Sequence, residues 1–454
     1  MSEPATQIDQ VEDRLASLDA ALESGRLRRL KPMLASLHPA EIALLLESVP
    51  RAKRELVWRL VPEDDHGETL LHVNDEVRAE LISGLEREEL LAAAEGMPID
   101  DLADLIEDLP EQVTREVLRS MDSQNRERLK VVMAYAPDSA GGLMNNDTVT
   151  VRPDVSLDVV SRYLKQRATM PDDTEALFVV SRYGRYLGML PLAKLVTLDA
   201  ERDVSEVMNT DIDALAVDMP AAQVAKRFQD LDLISAPVVS PEGTLLGRIT
   251  IDDVVDVIRD EAEHSIMSLA GLDEEEDVFA PIMRSARRRA VWLGANLATA
   301  FLASQVVGLF SATLSQVVAL AVLMPIVASM GGIGGSQTLT LMIRGLSLGQ
   351  IGFANARSLL AKELAVALIN GVLWGVVVGG IALFWFDNLV LGVIMAVALI
   401  INQLNAAITG VGIPLAMRKM GIDPALAGSV VLTTFTDVVG FAAFLGLGTL
   451  FLLH

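Results

Sequence analysis

Five long apolar segments near the C-terminal end limit the possible folds of this chain more than any other feature. They cover approximately residues 290–310, 314–331, 362–386, 389–416 and 425–452. About 20 apolar residues are enough to cross the hydrocarbon core of a bilayer as a helix. The sequence therefore predicts a transmembrane domain of five helices over residues 286–454, and it excludes a purely soluble protein.

Charge is distributed very unevenly along the chain. Residues 285–454 contain four acidic and eight basic residues, and the whole chain has a net charge of −24, so residues 1–284 carry −28. The bases that flank the apolar segments, such as Arg284, Arg344 and Arg418, all fall on one predicted side, which places the N-terminus inside the cell and the C-terminus outside. The acidity also argues against nucleic acid as a partner, because phosphates attract Lys and Arg.

Asp437 is the only acidic residue deep within an apolar segment. Charged groups in a membrane are costly and usually functional, and no base lies at a matching depth to neutralise this carboxylate. An uncompensated acid inside a helix bundle indicates a path for cations. One acid per chain is weak for a divalent ion, so we expect a two-fold homodimer with two Asp437 carboxylates near its axis, an all-oxygen site suited to Mg²⁺.

The second apolar segment reads PIVASMGGIGGSQ. Its proline and paired glycines predict a broken helix with free carbonyl groups, an arrangement that survives in a membrane only where it lines protein or a water-filled cavity. Asn and Thr side chains on the fourth segment either line the same path or form hydrogen bonds between helices. The candidate pore-lining residues are Gly331, Gly332, Ser336, Asn402, Asn405, Ser429 and Thr433.

Residues 131–262 contain an internal repeat, in which Met144 corresponds to Met208 and Gly188 to Gly247. Each copy predicts the order strand, helix, strand, turn, strand, helix, and the pair resembles tandem CBS domains. Such modules often bind adenine nucleotides through a Ser or Thr and an Asp after the third strand. The second copy has Thr250 and Asp253 there, which makes them weak candidates for ATP binding.

Residues 1–130 predict short amphipathic helices that often begin or end at proline, which is typical of a small α-superhelix. Acids recur on one helical face at Asp100, Asp104, Glu107 and Asp108, and on another at Asp253, Asp256, Asp260 and Glu263. Such faces are either simply solvated or bind divalent cations together. The acidic run over 273–277 is expected to be solvated or to begin a helix, and residues 263–285 are expected to form a linking helix.

Taken together, these segments resemble the MgtE family of bacterial magnesium channels. The resemblance is carried by DDLADLIEDLP, by ITIDDVVDVI and by the membrane segments PIVASMGGIGGSQTLTLMIRGL and TTFTDVVGF. It implies a bacterial inner-membrane protein, a homodimer with Asp437 at the pore, and a linking "plug" helix. It also implies regulatory Mg²⁺ bound by Asp100, Asp104, Asp232, Asp253, Asp256 and Glu261.

The chain departs from the family pattern at several positions. Ile333 replaces the Asn that usually follows the paired glycines, which removes a polar ligand or orienting group. Pro220 and Ala222 replace acids early in a helix of the second CBS copy, and His264 replaces an acid of the plug helix. These changes predict fewer or weaker regulatory ions.

Three functions fit these observations. The first is a Mg²⁺-selective channel that cytosolic Mg²⁺ closes. The second is a secondary transporter coupled to H⁺ or Na⁺, which imports or exports divalent cations such as Co²⁺ or Mn²⁺, and the third is a membrane-anchored CBS sensor that conducts nothing. We expect no enzymatic activity, because the sequence contains neither a Walker loop nor a Ser/His/Asp set and has no cysteine.

Overall fold

The structure is a computed structural model that describes residues 7–24, 30–95, 97–167, 170–171, 174–269, 271–272 and 277–453. The chain divides into two compact units. The first contains residues 1–262 and 275–280, and the second contains residues 263–274 and 281–454.

Short helices build the N-terminal part of the first unit. They are α1 (Gln7–Glu23), α2 (Leu30–Leu34), α3 (Pro39–Glu47), α4 (Arg51–Trp58), α5 (His66–His72), α6 (Asp75–Gly84), α7 (Arg87–Ala94), α8 (Ile99–Asp108), α9 (Glu111–Ser120) and α10 (Ser123–Val132). Proline begins or caps several of them, as Pro98 does for α8 and Pro110 for α9. This placement is favourable because the first turn of a helix does not need the N–H that proline lacks.

The predicted repeat forms two similar three-stranded sheets. The first copy contains β1 (Thr150–Val151), α11 (Leu157–Arg167), β2 (Ala176–Val180), β3 (Tyr186–Pro191) and α12 (Leu192–Thr197), and α13 (Val204–Val207) follows it. The second contains β4 (Leu215–Ala216), α14 (Ala221–Leu231), β5 (Ser235–Val239), β6 (Leu245–Thr250) and α15 (Ile251–Leu269). In each sheet the first strand is parallel and the third antiparallel to the middle one.

The matched glycines hold the two copies against each other. A Cβ on Gly188 would lie 2.6 Å from the carbonyl oxygen of Asn209, and one on Gly247 would lie 2.7 Å from that of Asn145. The backbone after Met208 thus packs against β3 of the first copy, and the backbone after Met144 packs against β6 of the second copy. The predicted tandem CBS pair is confirmed, and its second copy shares one apolar core with the N-terminal helices.

The linking helix predicted over 263–285 is not a single helix. Helix α15 begins at Ile251, directly after β6, and ends at Leu269, whereas the first membrane helix begins only at Ile282. Pro281 caps that next helix, and Gly271 has a φ of +69°, a left-handed conformation that ends helices. The linking helix is therefore the second half of a helix that starts in the CBS pair.

Among the described residues of the second unit, five helices are long and apolar enough to cross a membrane, as predicted. They are α16 (Ile282–Leu309), α18 (Val318–Ser347), α19 (Ala356–Phe386), α20 (Leu389–Lys419) and α21 (Pro424–Leu452), and the short α17 (Ser311–Gln316) precedes α18. The helices α18, α20 and α21 pack against one another.

The prediction of a broken second segment was wrong. Helix α18 is continuous over 30 residues and contains Pro325 and all four glycines of the PIVASMGGIGGSQ segment. The glycines instead make room for neighbouring helices: a Cβ on Gly331 would lie 2.1 Å from Asn402 Nδ2, and one on Gly334 would lie 2.3 Å from Gln403 Oε1. Close contact between helices replaces the open carbonyl groups that we expected.

Candidate functional site: an acidic groove in the membrane helices and an acidic cluster in the first unit

An open groove of about 930 Å³ lies between helices α18 and α21 of the membrane unit. Its lining residues are Ala328, Ser329, Gly332, Ile333, Ser336, Gln337, Thr340, Leu341, Thr433 and Asp437. Asp437 is the charged member of this set, and the hydroxyl and amide groups around it offer further oxygen atoms. An all-oxygen set with one carboxylate suits a hard cation such as Mg²⁺.

Helical spacing explains how these side chains come to share one groove. Gly332, Ser336 and Thr340 recur every four residues on α18, and Thr433 lies one turn before Asp437 on α21. The hydroxyls of Ser329, Ser336 and Thr340 are exposed in the single chain, whereas Asp437 is half-buried. Ile333 also faces the groove, where it presents an apolar side chain.

Some of the candidate pore-lining residues make contacts between helices instead. Asn402 is fully buried and donates through Nδ2 to the carbonyl oxygen of Val327 at 2.9 Å, so it joins α20 to α18. Asn405 donates to the carbonyl oxygen of Phe435 at 3.2 Å. These amides form hydrogen bonds between helices, which is the structural alternative that the sequence left open. Gly331 is buried against Asn402, and Ser429 is not among the lining residues.

The acidic faces of α8 and α15 meet in the first unit. Both helices begin with an acidic pair, Asp100 and Asp101 on α8 and Asp252 and Asp253 on α15. Together with Asp104 we call these residues the acidic cluster. Asn145 donates to Asp100 Oδ1 at 3.1 Å, and Thr250 donates its hydroxyl to Asp253 Oδ2 at 3.2 Å.

Burial and mutual repulsion shift the proton affinities of the acidic cluster. Burial, with the charges of Asp100 and Asp252 beside it, raises the pKa of Asp253 to about 8. Burial and neighbouring carboxylates, first Asp100 and Asp104, raise the pKa of Asp101 to about 7. Burial likewise raises the pKa of Asp100. A divalent cation would relieve this repulsion, so the donors present fit such an ion.

Asp100, Asp104 and Asp253 were predicted from the sequence as regulatory ligands, whereas Asp101 and Asp252 were not. The signal was present, since each missed residue is next to a named one in the first turn of a helix, where the helix dipole favours acids. The other regulatory candidates lie elsewhere. Asp256 is exposed and its Oδ1 lies 3.4 Å from Arg259 Nη1. Asp232 ends α14, and Glu261 is exposed on α15.

One acid of the run at 273–277 is not solvated. Asp277 is only 3% exposed, and its Oδ2 accepts a hydrogen bond from Nη2 of the fully buried Arg54 at 3.0 Å. Glu76 accepts from the backbone N–H of Asp277 at 3.2 Å. The expectation of a solvated run was wrong at this position, because the N-terminal helices offer a buried guanidinium to it. Residues 273–276 of the run lie outside the described residues.

His264 makes a contact within the membrane unit that its sequence position did not suggest. Its Nε2 lies 2.7 Å from Oδ2 of Asp423, in the loop between α20 and α21. The end of α15 is thereby joined to the segment that leads into the helix of Asp437. His264 thus has a specific partner within the membrane unit.

Comparison with family models matches most of the chain. A model described as "Divalent cation transporter" matches residues 324–447, and one described as "MgtE intracellular N domain" matches residues 37–138. The CBS domain model matches residues 140–201 and 204–260.

Curated relatives match over nearly the full length. A magnesium transporter MgtE of Thermus thermophilus is 30% identical over 448 residues, which cover 97% of this chain and 99% of the relative. A magnesium transporter MgtE of Bacillus subtilis is 26% identical, with 95% and 96% covered.

Two solved structures resemble the cytosolic part. A cytosolic domain of the Mg²⁺ channel MgtE in complex with ATP is 31% identical and covers 54% of this chain and 99% of its own, with a TM-score of 0.48. The soluble part of a magnesium transporter is 21% identical and covers 56% and 99%, with a TM-score of 0.45. The near-complete match at 30% identity and the three family models show that this multi-pass membrane chain belongs to the MgtE family of magnesium transporters.

Proposed function

We propose that this protein is a homodimeric, Mg²⁺-selective channel for magnesium uptake, in which Asp437 forms the cation site. The observation that carries the proposal is the groove between α18 and α21, where one carboxylate is surrounded by hydroxyl and amide oxygens. A site of this kind attracts a hydrated divalent ion without removing most of its water, which Mg²⁺ gives up reluctantly.

The exposure of the groove supports a dimer. An acidic side chain is costly in contact with lipid tails, and so are the neighbouring hydroxyls and amides. A second copy that covers the groove would replace lipid with protein and water. Two-fold symmetry would also bring two Asp437 carboxylates to one axis, which doubles the charge available to a divalent cation.

We further propose that cytosolic Mg²⁺ closes the channel by binding the acidic cluster between α8 and α15. The support is the burial of these carboxyl groups and, after it, their mutual repulsion, which together raise the pKa values of Asp101 and Asp253. A ligand shifts a conformational equilibrium only by its differential affinity for the two states. Mg²⁺ stabilises the state in which both acidic faces are close, whereas without Mg²⁺ their repulsion favours separation.

Two contacts offer routes from this cluster to the pore. Arg54 holds Asp277, which lies shortly before the first residue of α16. His264, on the same helix as Asp253, contacts Asp423 shortly before α21. Separation of the acidic faces would act on both of these segments, and one of them leads directly into the helix that carries Asp437.

ATP at the CBS pair stays a weak prediction. The hydroxyl of Thr250 already donates to Asp253, and Asp253 belongs to the acidic cluster. The phosphates of a nucleotide would be repelled by these carboxylates. The inner membrane as the location, with the C-terminus on the periplasmic side, is part of the proposal and agrees with the basic residues that flank the helices.

Ion flux into proteoliposomes tests the proposal directly. Mg²⁺ entry is followed with an internal indicator while the Mg²⁺ concentration on the side of the first unit is varied. The channel hypothesis predicts downhill flux that needs no H⁺ or Na⁺ gradient and that falls as Mg²⁺ on that side rises. Flux that requires a gradient of H⁺ or Na⁺ would favour the coupled transporter, and no flux would favour the CBS sensor.

A further inference from the structure

Two histidines and one glutamate lie together on the surface of the N-terminal helices. His38 is the residue before α3, and Glu68 and His72 are one helical turn apart on α5, which packs against α3. Glu68 Oε1 lies 3.7 Å from His38 Nε2 and 3.9 Å from His72 Nε2. The three ligand atoms all lie within 4.8 Å of one another.

We propose that His38, Glu68 and His72 form a binding site for a transition-metal ion of the Zn²⁺, Co²⁺ and Ni²⁺ class. Such ions bind imidazole nitrogen and carboxylate oxygen at about 2.0–2.2 Å, so two ligands of a tetrahedral site are roughly 3.3–3.5 Å apart. The two distances to Glu68 exceed this by a few tenths of an ångström. The side chains are 33–63% exposed, so they are free to make that adjustment.

The donor set distinguishes this site from those proposed for Mg²⁺. Mg²⁺ takes oxygen ligands, whereas two imidazoles and a carboxylate favour borderline transition metals. Three protein ligands leave a fourth position for water. The site therefore binds a different class of cation from the transported one.

Metal binding through Nε2 of His38 costs the protein one hydrogen bond at the start of α3. Its Nδ1 accepts a hydrogen bond from the backbone N–H of Ala40 at 3.3 Å, at the long end for such bonds. A metal on Nε2 requires the proton to be on Nδ1, so this bond is lost. The reciprocal bond from the backbone N–H of His38 to Glu41 Oε2, at 3.1 Å, remains and keeps the start of α3 capped.

The position of Glu68 connects this site to the acidic cluster electrostatically. The charge of Glu68 is among the causes that raise the pKa of Asp101, after burial and the cluster's own carboxylates. A cation bound at Glu68 would offset that repulsion. A transition metal at this site would therefore act in the same direction as Mg²⁺ on the first unit, from a separate position.

Co²⁺ titration of the purified full-length protein tests the site, because tetrahedral Co²⁺ bound to nitrogen ligands absorbs visible light. Any polyhistidine tag is removed, and millimolar Mg²⁺ is present throughout to fill oxygen-only sites. The variants are His38→Asn, in which Asn preserves the helix cap, and His72→Gln. The matched control is Glu88→Gln, an exposed acid on α7.

We expect saturable Co²⁺ absorption in the unchanged protein and in the control. In each histidine variant the affinity for Co²⁺ should be lower by a factor of about ten or more, since each variant lacks one of three protein ligands. Melting temperatures measured without metal establish that the variants remain folded. Absence of a saturable band in Mg²⁺ would overturn the proposal, and so would folded histidine variants that bind Co²⁺ like the unchanged protein. Mg²⁺ flux is not measured, so the result is independent of the proposed channel function.

Discussion

Arg54 and Asp277 form a buried ion pair, with Nη2 of the arginine 3.0 Å from Oδ2 of the aspartate. The arginine is fully buried, and it also donates to the carbonyl oxygen of Leu46 and to Glu80. Asp277 lies shortly before α16 begins at Ile282. The pair therefore joins the segment around Asp277, which belongs to the first unit, to the N-terminal helices.

Replacement of Arg54 by Met should destabilise the first unit strongly. Removal of one partner of a buried pair leaves an uncompensated charge and typically costs about 3–5 kcal/mol. Asp277→Asn should cost less, because Glu80 remains to pair with the guanidinium. Lys53→Met on the same helix breaks a more exposed pair with Asp19 and should cost at most about 1 kcal/mol. Thermal unfolding that ranks these three variants differently would contradict this account.

Asp437→Asn should abolish or strongly reduce divalent flux while the protein still assembles. The change removes the carboxylate charge from the groove but preserves its shape. The control is Asp387→Asn, at an exposed acid that ends α19 with a φ of +47°, which Asn tolerates well. Flux is measured in proteoliposomes at equal protein content. Wild-type Mg²⁺ entry in the Asp437 variant would place the cation site elsewhere.

Gly440→Ala should destabilise the membrane bundle. The added Cβ would lie 2.6 Å from Nδ2 of Asn402, which is buried between α18 and α21 and has little room to move. Overpacking of this kind typically costs about 1–3 kcal/mol. Gly446→Ala on the same helix is the control, since nothing lies within 4 Å of its added Cβ. The melting temperature in detergent should be lower for Gly440→Ala than for the unchanged protein, and it should not change for Gly446→Ala.

Without divalent cations, the first unit should lose stability as the pH rises from about 4 to about 8. The pKa of Asp253 is about 8 when folded, against an ordinary value of 3.8, so the folded state holds more protons than the unfolded state in this interval. The contribution of the protonated Asp253 to stability is therefore fully present below about pH 4 and is lost as the pH rises through the folded pKa of about 8. Melting temperatures of the purified protein in a chelator measure this slope.

Asp253→Asn should flatten the slope, because Asn carries no charge that burial can penalise. Mg²⁺ should restore stability most at the upper end of this pH interval, where it binds carboxylates without displacing protons. Glu206→Gln, at an exposed acid on α13, serves as the control and should behave like the unchanged protein. A slope that is the same in the Asp253 variant would assign the pH dependence to other groups.

The apolar segments and the repeat could be predicted from sequence because both depend on local patterns. A run of about 20 apolar residues has few alternatives to a membrane helix. The matched methionines and glycines mark equivalent positions in two copies of one module, whatever their surroundings. The acidic faces of α8 and α15 were also visible, since helical spacing alone places Asp100 with Asp104 and Asp253 with Asp256.

Only the tertiary structure decided which residues from different segments contact one another. The glycines of α18 looked like helix breakers, but the helix continues, and Asn402 and Gln403 of another helix fill the space beside Gly331 and Gly334. Asp277 looked solvated until the fold placed Arg54 beside it, 223 positions away in the chain. Sequence patterns report the preferences of a segment by itself, whereas burial, charge pairing and the groove around Asp437 arise from contacts between segments distant in sequence.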